Sequence, residues 1–429
     1  MLPTASVVNT TRVCTHPPPR HVGSRHLKGL TRRRVVLTQA SLQNNTDLVS
    51  ALLSAARKQT RPWLEDLILP FLGVDFPGGI DANDDTIETV HRTQLADEDS
   101  KFVTVHGIEL HYKEWVTPGS DPVSCPTVLL LHGFNGSVFS WRANVYELAQ
   151  AAGGCRIIAF DRPPFGLSER PNPKYTPFDP YNADGNVTLA EGFLDRLDLF
   201  KRPLIVVGHS AGAVVDMNLY SRRPKDIAAL ALVAPAVPTT TENRMLRNAT
   251  FGALLRFLAV RTMIQTDDIG LRYVRRQLLR QRDKILAGEL GFQPHPSTAQ
   301  VNNDSEIGTE EEEEEEALRW AIQGYLKPLQ AHDWDKAALC NLRSFDLPAS
   351  YPYETVRVPI LVLQGKYDGQ LTKNARALRT LLPPNPKTVY KELECGHVPM
   401  EELPLEFNDI VKEYLDAVLG SAADQKLTS

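Results

Sequence analysis

Acidic residues are missing from the first stretch of this chain. Residues 1–46 contain no aspartate or glutamate, while Arg12, Arg20, Arg25, Lys28, Arg32, Arg33 and Arg34 are basic and serine and threonine are frequent. That is the composition of an organelle transit peptide, and the triple arginine before residues 35–41 suits a processing site near Ala40. A disordered basic tail has the same composition. A secretory signal does not fit, because no apolar core of the usual length is present. Nor does any run approach the roughly 18 consecutive apolar residues of a membrane span. Cysteine is scarce: Cys14, Cys125, Cys155, Cys340 and Cys395 are widely separated, without C-x-x-C or zinc-like spacing, and read as reduced residues rather than disulfide partners or ligands. H-E-x-x-H and G-x-x-x-x-G-K are both absent, so the sequence implies no metal and no cofactor. The net charge of -5 is small for 429 residues and gives no reason to expect nucleic acid as a partner. No internal period indicates a solenoid or propeller.

What is present is an alternation of apolar strands with helical stretches. Residues 102–105 and 108–112 alternate around His106-Gly107 and predict an antiparallel hairpin. Continuous apolar runs at 126–131, 156–160, 202–207, 227–234 and 358–365 predict buried strands, and 388–393 a further strand. Helices are expected at 141–152, 188–200, 213–223, 372–382 and 404–419. This pattern predicts an α/β fold with a mainly parallel central sheet flanked by helices. From 240 to 344 it breaks into helical stretches such as 248–263 and 270–287, with seven glutamates at 310–316, as an inserted helical cap would.

The strand at 202–207 runs into Gly208-His209-Ser210-Ala211-Gly212 and then into a helix. A G-x-S-x-G between strand and helix is a nucleophile elbow: glycines allow the sharp turn that lifts the serine hydroxyl clear of the sheet. Gly365-Lys366-Tyr367-Asp368 follows a later strand, and Gly396-His397 follows the last one. With these three motifs in this order, residues 101–419 resemble the α/β-hydrolase superfamily. The resemblance implies a catalytic set of Ser210 as nucleophile, His397 as base and Asp368 as the acid that orients it. It also implies an oxyanion hole made by the N–H groups of Phe134 and Ala211. His132 is expected to brace the Phe134 loop, and His209 to fill a variable elbow position. Asp216 reads as an exposed helix residue. Asp161-Arg162-Pro163-Pro164-Phe165-Gly166-Leu167-Ser168 resembles the family's D-R-P-G-x-G-x-S loop with Pro164 in place of a glycine, and is expected to be structural.

The expected organisation is a transit peptide (1–46), an extension and linker (47–100), a first core segment (101–240), a helical cap with an acidic loop (241–345), a second core segment (346–420) and a tail (421–429). In the extension, Leu48, Leu52, Leu53 and Ala56 share one helix face, and Trp63, Leu67, Leu69, Phe71 and Leu72 are apolar enough to pack on a domain or dip into a lipid surface. Arg272, Arg275, Arg276, Arg280, Arg282 and Lys284 make part of the cap strongly basic, a feature shared by solvated helix faces and by surfaces that attract anionic lipid. Phe251, Leu254, Leu255, Phe257, Leu258 and Met263 offer either an apolar lining or packing for the cap. The expected activity is a serine hydrolase acting on a small-molecule apolar ester or thioester, lipid-like or pigment-like, in the chloroplast, with the mitochondrion as alternative. A serine at the elbow argues against epoxide and haloalkane chemistry, which needs a carboxylate. Carbon-carbon bond hydrolysis, acyl transfer, and an accessory or receptor-like binding role on the same fold stay open. Oligomeric state is not legible.

Overall fold

The computed structural model describes residues 89–121, 125–239, 324–344 and 351–426. The expectations for the transit peptide, the apolar extension up to 88, the cap helices at 248–263 and 270–287 and the glutamate run lie outside these residues.

Among them, eight strands form one sheet: β1 (Lys101–Val105), β2 (Ile108–Val116), β3 (Thr127–Leu131), β4 (Arg156–Phe160), β5 (Leu204–His209), β6 (Ile227–Val233), β7 (Ile360–Gly365) and β8 (Val389–Leu393). Their spatial order is β1-β2-β4-β3-β5-β6-β7-β8. The hairpin β1-β2 and its pairing with β4 are antiparallel, and every other pairing is parallel. Parallel strands need crossovers, which lie on the two faces of the sheet and bury both of them. That is why β3, β5 and β7 are buried at every position and read as unbroken apolar runs.

The helices between strands are α1 (Val145–Ala149), α2 (Ala183–Arg196), α3 (Ala211–Arg222), α4 (Trp334–Ser344) and α5 (Gln370–Leu381), and α6 (Pro399–Glu402) and α7 (Pro404–Lys426) follow β8. Strand side chains alternate between two cores. Leu129 and Leu131 pack with α2, α3 and α5, whereas Val128 and Leu130 pack with α1 and α7. On α7, Phe407, Val411, Tyr414, Leu415 and Val418 recur at helical spacing and form the stripe that covers the second face.

Several local readings are corrected. The helix expected at 141–152 is broken into α1 and two 3-10 turns: Asn144, at φ -123°, separates the first from α1, and Ala152 takes a positive φ of 49° in the second. Helix α2 starts earlier than expected, since the Asn182 side chain caps it by accepting from the Gly185 N–H at 2.7 Å. The last helix runs past Gly420, where a tail is expected, to Lys426. The acidic stretch before β1 is more than a linker: Asp97 pairs with Lys113 and with Lys327 of the returning cap segment, and Val90 bridges to Ala331.

Phe407 is fully buried, its ring 6.4 Å from that of Trp141. Phe407→Ala is expected to lower unfolding free energy by about 3–5 kcal/mol, measured by urea denaturation; a change below about 1 kcal/mol would contradict the packing of α7 described above.

Candidate active site

The carboxyl ends of β5 and β7 and the loop after β8 meet at one point. Ser210, between β5 and α3, has φ 52° and ψ -113°, a region that a side-chain-bearing residue occupies only when its surroundings force it. The forcing is visible. The Ser210 N–H donates to the Val233 carbonyl at 2.9 Å, and its carbonyl accepts from Ala213 at 3.1 Å and Ala236 at 3.2 Å. The elbow glycines are required by contact: a Cβ on Gly208 would lie 2.1 Å from an Asp216 oxygen, and one on Gly212 would lie 2.2 Å from the Leu131 carbonyl.

His397 Nε2 is 3.0 Å from Ser210 Oγ, and His397 Nδ1 is 2.8 Å from Asp368 Oδ2. The three residues singled out from motifs far apart in the chain thus form one hydrogen-bonded line. Its orientation settles the tautomer of His397: a carboxylate can only accept, so Nδ1 carries the proton and Nε2 is free to take one from serine. The His397 loop is held from both sides, since Glu402 accepts from the Gly396 N–H at 2.7 Å and from the Val398 N–H at 2.9 Å.

The loop after β3 faces Ser210. Arg162, fully buried, donates to the His132 carbonyl through Nε at 3.0 Å and Nη2 at 2.6 Å, and to the Gly133 carbonyl at 3.2 Å. In a trans peptide the carbonyl and the following N–H point in opposite directions, so drawing the Gly133 carbonyl inward turns the Phe134 N–H outward. Ala211 opens α3, and its N–H belongs to the set that has no intrahelical acceptor. The arrangement can therefore offer two backbone donors to an anion beside Ser210. Asn186 of α2 fixes the far end of the Arg162 guanidinium at 2.7 Å. The D-R-P loop, expected to be merely structural, thus acts on the donor loop.

His132 Nδ1 donates to the Gly133 carbonyl at 2.8 Å and Nε2 accepts from the Arg162 N–H at 2.9 Å, the bracing role expected of it. His209 does more than fill a position, because its Nε2 donates to the His397 carbonyl at 2.8 Å. Burial pushes the pKa of both imidazoles down to about 3, helped at His132 by Arg162 and at His209 by His397. Asp216 is the opposite of an exposed residue: it is fully buried under the elbow, neither oxygen makes a hydrogen bond of ordinary geometry, and burial raises its pKa well above the usual range despite Arg162 and the nearby Gly208 N–H. Local sequence gives no hint of this, because helical spacing places 216 on an inner face only once α3 docks on the sheet.

A second line of the same residue types exists away from the elbow. Ser100 Oγ lies 2.9 Å from His111 Nε2, and His111 Nδ1 lies 2.6 Å from Asp161 Oδ2. Ser100 Oγ also accepts from the Asp97 N–H at 3.0 Å, and Asp161 is clamped by the N–H groups of Val138 and Leu167, each at 2.7 Å. This group ties β2, β4 and two loops together; it has no strained turn at its serine.

The returning cap segment reaches the site through Tyr325, whose hydroxyl donates to Glu401, which in turn pairs with Arg142 at 2.8 Å. Phe134, 46% exposed, follows Gly133 on the loop facing Ser210 and sets its ring edge-to-face to Phe165 at 5.1 Å, and Phe139 meets the Tyr325 ring at 5.9 Å. Cys125, Cys155 and Cys395 are buried as thiols, and burial pushes Cys155 and Cys395 up to about 12. Cys14 lies outside the described residues.

Comparison with known proteins places this geometry among relatives. The model of the alpha/beta hydrolase family matches residues 128–410, well over half of the chain. Bifunctional epoxide hydrolase 2 of Sus scrofa is 25% identical over 324 residues, 72% of this chain and 54% of that protein. A monoacylglycerol lipase of Bos taurus is 28% identical over 123 residues, 28% of this chain and 35% of that protein. The chain thus spans about half or less of the length of these relatives. Among solved structures, a bromoperoxidase from Bacillus anthracis superposes with TM-score 0.52 at 17% identity, covering 74% of this chain and 99% of the other; this likeness concerns the fold.

The buried histidines carry a pH dependence with a definite sign. Below the ordinary imidazole pKa of 6.5 the unfolded chain binds protons that folded His132 and His209 refuse down to about 3. Their contribution to stability is therefore complete above pH 6.5 and is lost as pH falls toward 3. His209→Gln is expected to flatten the pH dependence of unfolding free energy between those limits by about 1.4 kcal/mol per pH unit, one proton's worth. Urea melts at stepped pH check it; an unchanged slope would mean that His209 already protonates in the folded protein.

Proposed function

The chain belongs to the alpha/beta hydrolase family, and from this premise we propose that it is a serine hydrolase cleaving an apolar ester or thioester through an acyl-enzyme on Ser210. The observation that carries the reading is the line Ser210 Oγ to His397 Nε2 to Asp368 Oδ2, at 3.0 and 2.8 Å, built on a strained turn at the serine. A serine hydroxyl is a weak nucleophile until a base takes its proton in the attack. In the proposed reaction His397 Nε2 accepts that proton as Ser210 Oγ adds to the carbonyl carbon. Asp368 stabilises the imidazolium so formed. The oxyanion sits between the Phe134 and Ala211 N–H groups, each donor worth about 3–4 kcal/mol to such an intermediate. His397 then returns the proton to the leaving alcohol or thiol, and water repeats the sequence on the acyl-enzyme.

His132 and His209 are neutral at physiological pH because burial depresses both to about 3, so neither places a positive charge beside His397. Epoxide opening, the activity named for the pig relative, is not the reading favoured for this chain. A serine oxygen that opened an epoxide would be left as an ether with no carbonyl for water to attack, whereas acylation of Ser210 leaves an ester that water can cleave. The apolar substrate class rests on the exposed Phe134 ring, next to Gly133 on the loop that faces the nucleophile, and its contact with Phe165. The monoacylglycerol lipase among the relatives is in keeping with it.

A fluorophosphonate probe tests the reading without a known substrate. The purified protein is expected to be labelled at one serine, Ser210→Ala to lose all labelling, and His397→Ala to lower the labelling rate by at least about 10³-fold. Ser100→Ala should be labelled like the wild type, because the Ser100–His111–Asp161 line lacks the elbow. Absence of labelling in a folded protein would overturn the hydrolase reading in favour of a binding role on the same fold.

A further inference from the structure

We propose that Gln364 is a positioning residue for the acid–base pair, holding the Asp368 carboxylate for His397 with a neutral donor. The inference rests on the acyl-enzyme reading above. Gln364 is fully buried near the end of β7, where Ile360, Leu361, Val362 and Leu363 are apolar. Its Nε2 donates to Asp368 Oδ2 at 2.9 Å and to the Gly365 carbonyl at 3.1 Å. Oδ2 is the same oxygen that accepts from His397 Nδ1 at 2.8 Å. The other end of the amide, Oε1, is buried without a partner among the described residues.

Partner chemistry fixes the orientation of the amide. Flipping it would press Oε1 against a carboxylate and a carbonyl, two acceptors, while the amide nitrogen would face a place with no acceptor. A buried unsatisfied acceptor is unfavourable by about 1–3 kcal/mol, and a leucine here would avoid it. What the glutamine supplies instead is a second anchor on Oδ2. A single hydrogen bond leaves the carboxylate free to rotate about χ2; two donors from different directions hold it. The donor also has to be neutral, since a lysine or arginine at this place would compete for the negative charge that steadies the imidazolium during attack.

The ionisable groups around the pair come from each neighbouring element: His209 of the elbow, its ring 4.9 Å from that of His397; Cys395 before the histidine loop; and Glu402 of α6. Lys366 and Tyr367 engage Glu394 at the surface. Strand β6 offers only apolar residues at this level, with the Ala234 N–H bonded to the Leu363 carbonyl at 2.8 Å.

The test compares the wild type, Gln364→Leu and Gln364→Glu in full-length protein, following the rate of fluorophosphonate labelling of Ser210 against pH, with thermal melts to establish folding. Gln364→Leu is expected to label about 10- to 100-fold more slowly, mainly in the maximal rate and not in the probe concentration for half-maximal rate. Gln364→Glu carries the diagnostic signature. The carboxyl group it introduces donates to Asp368 when protonated, as the amide does, and repels Asp368 when ionised. Labelling of this variant should therefore approach the wild-type rate at low pH and fall progressively behind as pH rises, an alkaline loss that the wild type does not show. Labelling of both variants within twofold of wild type, with the same pH profile, would overturn the positioning role while leaving the hydrolase reading intact. A wild-type protein that is not labelled at all would instead remove the reading on which the inference rests. Should Gln364→Leu fail to fold, the pH profile of Gln364→Glu alone decides.

Discussion

The backbone of Ser210 is held where a serine does not rest unaided. A positive φ at a residue with a side chain is unfavourable by about 1–3 kcal/mol, and what holds it is the parallel sheet: the Val233 carbonyl of β6 takes the Ser210 N–H, and the chain after β6 takes its carbonyl through Ala236. Both neighbours exist only because β5 and β6 pair in register from Ile205 to His209. The closeness that results excludes any Cβ at Gly208 or Gly212. Sheet register, turn strain and glycine placement are thus one constraint seen at three levels, and the hydroxyl points where it does because of all three.

A second dependence runs through charge. Among the described residues Arg162 is buried without a carboxylate at ion-pair distance, and its pKa is pushed down to about 10 by that burial, with Asp216 opposing the shift. It remains a cation at neutral pH and spends its donors on the carbonyls of His132 and Gly133, which fixes the orientation of the loop that carries Phe134. The same dry surroundings keep His132 and His209 neutral. A cluster containing three imidazoles and a guanidinium thereby avoids mutual repulsion and leaves one imidazole, the half-exposed His397, paired with a carboxylate.

How much of this could be read from residues alone follows from range. The strands at 126–131, 202–207 and 358–365 were legible because burial on both faces demands continuous apolar residues, and the elbow because a sharp turn demands small ones. Where long-range contacts override local preference the reading fails: α2 is started by the Asn182 cap, and the acidic stretch around Asp97 is recruited by Lys113 and Lys327. Gln364 and Glu402 had weak signals, a lone amide in an apolar strand and a carboxylate soon after Gly-His. Neither signal says which atom it serves.

The sequence by itself determined the order of the strands along the chain, the elbow, and the identities of the serine, the aspartate and the histidine, because each of these is set by neighbours within a few residues. Only the tertiary structure decided that Ser210, Asp368 and His397 touch, that Asp216 is buried and Arg162 grips the donor loop, and that the Ser100–His111–Asp161 line is a brace and not a second elbow. The physical reason is that these properties belong to distances between segments far apart in the chain, or to the loss of water around a side chain, and neither is encoded in any one stretch of residues.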